Sequence, residues 1–129
     1  MNFALKNSWY VFFILLLFSC SVQDIEKYNE DFKGSWKSDK YYSASAGDTI
    51  RNYLKIDGKD SGFGLACKKD SEFTDCLYFQ SGKAKYNKAS KGLQIGNSVQ
   101  QIYRIDEEPH VNNNGEWQIM IDSIPYYRY

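Results

Sequence analysis

"TIRNYLKID", residues 49–57, decides the fold class. Ile50, Asn52, Leu54 and Ile56 fall on one face, and Arg51, Tyr53 and Lys55 on the other. Successive side chains of a strand point to opposite faces, so this alternation predicts a strand with one buried side. "DGKDSG", 57–62, follows as a dense turn signal. Beyond it Phe63, Leu65 and Cys67 share a face, and Cys76, Tyr78 and Gln80 share one in the next stretch. Pairing Cys67 with Cys76 also sets Leu65 against Tyr78 and Phe63 against Gln80. That register predicts a single hairpin with all three pairs on one side.

The same period continues outward in both directions. Short strands are expected near 34–42, 83–87, 92–95, 99–106, 117–122 and 124–129, with turns carried by "KASKG", "GNS" and "DEEPHVNNNG". About nine strands, separated by turn signals every 8 to 12 residues or so, indicate an all-β barrel or sandwich. The eleven tyrosines suit strands and amphipathic walls. Upstream, Val22, Ile25, Tyr28 and Phe32 recur at three- and four-residue steps, which predicts a short amphipathic helix ended by Gly34. No internal repeat or linker divides the chain.

Sixteen basic side chains balance sixteen acidic ones, so no nucleic-acid partner is expected: a protein that tracks phosphates carries a basic patch. The most apolar stretch is "VFFILLLFSCSV", 11–22, which overlaps an uninterrupted apolar run over 9–18. A helix crossing a bilayer needs about 20 such residues, so this run is too short. Lys6 ahead of it and the small Ser19 at its end give it the three-part layout of a secretory signal.

Leu17-Phe18-Ser19-Cys20 resembles the lipobox of bacterial lipoproteins. The resemblance implies a signal peptide over 1–19, cleavage before Cys20, and fatty acylation there (diacylglyceryl on the thiol and commonly palmitate on the new amine). Two or more acyl chains anchor firmly where one is marginal. Ser21 follows the cysteine instead of the Asp that retains such proteins at an inner membrane. The implied location is therefore the cell envelope, lipid-anchored, at the outer membrane where the host has two. Residues 20–33 would form the tether and short helix, and 34–129 the folded domain. In an exported chain Cys67 and Cys76 read as a disulfide. Metal ligation or two unpaired thiols are the alternatives.

Gly34-Ser35-Trp36 resembles the G-x-W signature of lipocalins and of the short bacterial lipocalin-like lipoproteins, and the ending "IPYYRY" looks like the Tyr-Tyr-Arg close of the latter. The resemblance implies a small antiparallel up-and-down β-barrel, lipocalin-like, with a short N-terminal helix. In it Trp36 would plug the closed end and Arg128 would stack over its ring, joining first strand to last. The expected function is a lipid-anchored envelope lipoprotein whose barrel takes a small apolar or amphipathic ligand. "SGKAKY", 81–86, is similar to the S-G-x-x-Y stretch of membrane-bound lysozyme inhibitors. It supplies the alternative, an envelope module that binds a protein partner.

Catalytic patterns are weak. Glu107, Glu108 and His110 could be drawn as metal ligands, but Pro109 prevents a helix from presenting them together, and an exposed loop explains them. "DGKDSG" has the wrong acid spacing for a calcium loop. "GFG", 62–64, lacks the rest of a phosphate-binding motif. No nucleophile elbow or carboxylate pair stands out. The reading is a non-enzyme, with no metal and no cofactor expected.

Overall fold

The computed structural model describes residues 22–44, 47–69, 72–96 and 101–129, with the backbone alone for 69 and 72–79. The signal segment 1–19 and Cys20 lie outside the described residues, as does the side chain of Cys76.

Among the described residues eleven strands form: β1 (Val22–Asp24), β2 (Gly34–Ser38), β3 (Tyr41–Ser43), β4 (Asp48–Ile56), β5 (Ser61–Lys69), β6 (Glu72–Gly82), β7 (Ala84–Asn87), β8 (Gly92–Ile95), β9 (Ile102–Val111), β10 (Trp117–Ile121) and β11 (Ile124–Arg128). Every pairing between them is antiparallel. Along β4 the buried positions are Ile50, Asn52, Leu54 and Ile56, with the residues between them more exposed.

The ladder runs β1-β7-β8-β9-β10-β11-β2-β4-β5-β6, with β3 beside β4. Strands β4 to β6 and β7 to β11 are meanders of successive hairpins, and the β11–β2 pairing brings the last strand against the first of the domain. The expected closed barrel is corrected in one respect. Among the described residues the ladder ends at β1 on one side and β6 on the other with no pairing between them, so the hydrogen-bonded sheet is open there. The chain itself crosses that gap through Lys83.

Gly82 explains the crossing. Its φ is +140°, and a Cβ there would stand 2.8 Å from Gly96 Cα. The backbone can bend away from β5 and rejoin β8 only because neither glycine carries a side chain. Strands distant in the ladder then meet. The Tyr103 hydroxyl on β9 donates to Gln80 on β6 at 2.7 Å, and the rings of Phe63 and Tyr103 lie 4.7 Å apart. One core forms from Ile25, Phe32, Trp36, Leu54, Leu93 and Ile119, all about fully buried, with their neighbours.

Two further expectations change. The segment read as one helix is three pieces: strand β1 paired to β7, a single helical turn α1 (Ile25–Tyr28), and a 3-10 turn over Glu30–Phe32. The three- and four-residue spacing does bury Ile25 and Phe32, but a stretch this short forms no extended helix without nucleation. Gly34 opens β2 instead of capping a helix. The second change is in the β5–β6 hairpin. Phe63 does face Gln80, but an irregularity after Gly64 sets Cys67 opposite Thr74, not Cys76. A bulge shifts register without a signal in the alternation. Cys67 is buried and disulfide-bonded.

Replacing Gly82 by Ala is expected to destabilise the domain by about 1–3 kcal/mol, because the new methyl meets backbone that cannot give way. Urea unfolding of the variant checks this; an unchanged midpoint would show that the bend tolerates a side chain.

Candidate functional site

Where β2, β10 and β11 adjoin, the sheet is organised by one row of side chains. The ladder sets Arg128 across from Trp36, and the β10–β11 register, one step beyond the Gln118–Tyr127 pair, sets it across from Trp117. The Arg128 guanidinium carbon is 4.6 Å from the ring centroid of Trp36 and 4.6 Å from that of Trp117. Trp36 is fully buried, and its indole Nε1 donates to the Phe32 carbonyl at 2.9 Å.

Arg128 Nη2 donates to the Asp31 carbonyl, and to that of Lys33 at 3.4 Å. Its Nε is buried without a hydrogen-bond partner among the described residues, so the ring faces supply part of what water would have given. A Cβ on Gly34 would come within 3.2 Å of that Nε. Gly34, with φ +145°, is thus the position that lets the cation lie flat against the strand. Trp117 was not singled out by sequence reasoning. Its place at the head of β10, one hairpin from Arg128, was the available signal.

Further along the interior lies a polar network. Asn52 Nδ2 donates to the Tyr126 hydroxyl at 3.0 Å, Asn52 Oδ1 accepts from the Tyr41 hydroxyl at 3.1 Å, and the Asn52 backbone N–H donates to Ser38 Oγ at 2.9 Å. Asn52, Ser38 and Tyr126 are all buried, and unmet polar groups there would cost several kcal/mol. Burial pushes the Tyr126 phenol far above its ordinary range, opposed by the Asn52 hydrogen bond. The rings of Phe63 and Tyr126 lie 6.4 Å apart. With Phe63 and Tyr103 this wall is amphipathic: aromatic faces with a few hydroxyl and amide groups.

The remaining sequence candidates separate. His110 stands 3.7 Å from Glu107, and its Nδ1 donates to the Glu108 carbonyl at 2.8 Å. Both residues belong to strand β9, not to the loop expected there. The Glu108 side chain serves another surface, beside Tyr28 and Tyr86. Among the described residues no three metal-ligating side chains converge, and no helix is long and apolar enough to cross a membrane. "DGKDSG" makes a turn closed by Asp60 N–H on the Asp57 carbonyl at 2.9 Å. "SGKAKY" forms the β6–β7 bend, and Tyr86 within it is buried against Tyr28.

No protein-family model matches the chain, and no curated protein or solved structure matches it.

Trp36→Ala is expected to cost about 3–5 kcal/mol and Arg128→Ala less. The double variant should fall short of their sum by about 1 kcal/mol, the coupling of a partly buried cation–π contact. A denaturant double-mutant cycle measures this. Strict additivity would mean that the guanidinium and the indole do not stabilise one another.

Proposed function

We propose that this chain is a lipid-anchored lipoprotein of the bacterial cell envelope, at the outer membrane where one exists. On this reading residues 1–19 are its signal peptide and Cys20 carries the acyl chains. Residues 34–129 are a lipocalin-like up-and-down barrel that binds a small amphipathic molecule and performs no chemistry on it.

The observation that carries the reading is the burial of Trp36 beneath Arg128 where the first and last strands of the domain pair. That arrangement is what the G-x-W resemblance implies for the closed end of a barrel. The meander order supports it too, since the two edges of the ladder are β6 and β1, and the chain passes directly from β6 to β7, the partner of β1. The wall of Asn52, Tyr126, Phe63 and Tyr103 supports an amphipathic ligand, with its apolar part against the rings and a polar group near the amide. The disulfide partner we assign to Cys67 is Cys76, whose backbone lies in the adjoining strand β6, two residues beyond Thr74.

Protein recovered from the envelope tests each part. Metabolic labelling with a fatty-acid analogue should mark the native chain and not Cys20→Ala; equal label on both would refute the anchor. Organic extraction of the purified protein should release one amphipathic small molecule in stoichiometric amount. Protein that yields none, and that instead co-purifies with a defined envelope protein after cross-linking, would establish the interaction-module alternative.

Non-reducing peptide mapping should find Cys67 and Cys76 in one linked species, and free thiol on Cys76 would overturn that assignment.

A further inference from the structure

A second concave surface lies outside the interior. Tyr28 from α1 stacks on Tyr86 from β7, with ring centroids 3.7 Å apart and planes within 6°. Beside this stack a groove of about 230 Å³ is lined by Tyr28, Tyr86, Lys91, Ile105, Asp106 and Glu108. It holds one aromatic wall, one cation and two carboxylates.

The charges are not equally available. Asp106 is taken: Arg104 Nε contacts it at 2.5 Å, and the Ser123 N–H donates to it at 2.6 Å. Glu108 accepts a long bond from the Asn29 amide, at 3.4 Å, and interacts with the Tyr28 hydroxyl, but it has no cationic partner among the described residues. The Lys91 ammonium has no ion-pair partner among the described residues. One cation and one carboxylate without a counter-charge among the described residues thus face the same small groove. The Tyr86 hydroxyl, burial and Glu108 together push the Tyr28 phenol above its ordinary range. A ligand complementary to this set is a small zwitterion, with an anionic group for Lys91 and an ammonium for Glu108.

Position selects among zwitterions. Val22 pairs with Asn87 and Gln23 with Tyr86, so the chain enters the fold beside the groove. Cys20 is two residues before Val22, and an extended chain covers at most about 7 Å over that span. An acyl anchor at Cys20 would therefore hold the groove at the headgroup level of the bilayer.

We propose that the groove takes the phosphoethanolamine headgroup of a neighbouring phospholipid, with its phosphate at Lys91 and its ammonium at Glu108 against the Tyr28 ring. The choice of a lipid as the source rests on the anchor reading; the zwitterion chemistry does not. A phosphoglycerol headgroup carries no ammonium and would set its phosphate against Glu108 without compensation. Docked in this way, the domain has a fixed orientation on the membrane instead of swinging on a tether.

The test titrates the acylated full-length mature protein, in maltoside detergent, with soluble glycerophosphoethanolamine and follows amide shifts by NMR. Tyr28, Lys91 and Glu108 should respond saturably. Lys91→Gly and Glu108→Gln should each weaken binding about tenfold, the loss of one charge-assisted bond. Lys91 has φ +53°, so its replacement by glycine relieves a left-handed backbone and should leave the melting temperature at or above the parent value. A lost response in a variant that melts normally is then a loss of recognition.

Equal responses to glycerophosphoglycerol or inorganic phosphate would reduce the groove to a plain anion site and overturn the proposal, as would no saturable response at all. Binding by the soluble headgroup needs no acyl chain. Absent label at Cys20 with binding intact would overturn the lipid source and the anchor together, whereas label with no binding would remove the groove alone.

Discussion

One guanidinium ties β2, β10 and β11 together. Arg128 lies over two indoles from different strands and donates to two carbonyls of the segment that leads into β2. The N-terminal turns, the first strand of the domain and the final hairpin therefore share one side chain. Lysine would not substitute, because a compact ammonium has no flat face to lay between rings and no fork to span two carbonyls. The buried and unpartnered Nε shows the cost of the arrangement. It is tolerated because the surrounding rings and carbonyls meet most of the lost hydration.

The second constraint is the bend at Gly82. An antiparallel sheet of this length has two edges, and exposed edges invite pairing with other chains. Here the edges are β6 and β1, and β6 runs directly into β7, the partner of β1, so the two edges are linked by one short connection although no backbone ladder joins them among the described residues. The free side of β7 is covered by β1, which pairs with it in place of a neighbouring sheet strand. Entry of the chain, covering of an edge and stacking of Tyr28 on Tyr86 are thus one local event. The same geometry places Lys91 and Glu108 on a common groove near the chain's entry point.

Much of the secondary structure was legible because it is written in local alternation. The period of two over 49–57 reports burial on one face, and the burial of β4 follows it residue by residue. The turn at "DGKDSG" was legible for the same reason, since turn chemistry acts over three or four residues. Trp36 and Arg128 came into view through short motifs that resemble a known family, not through spacing. Trp117, Asn52 and the Tyr28–Tyr86 stack had no such marker, because each matters only through a residue distant in sequence.

What the sequence determined by itself is therefore the class of element: short antiparallel strands, their approximate places, and an apolar N-terminal segment ending at Cys20. Only the tertiary structure decided how those strands are joined. It set Cys67 against Thr74 through an irregularity in β6, turned the expected helix into strand β1 with two short turns, and left the edge strands β6 and β1 without a ladder between them among the described residues. The physical reason is one of range. Alternation is a property of neighbours in the chain, whereas register, bulges and edge closure depend on the fit between surfaces that meet only after folding.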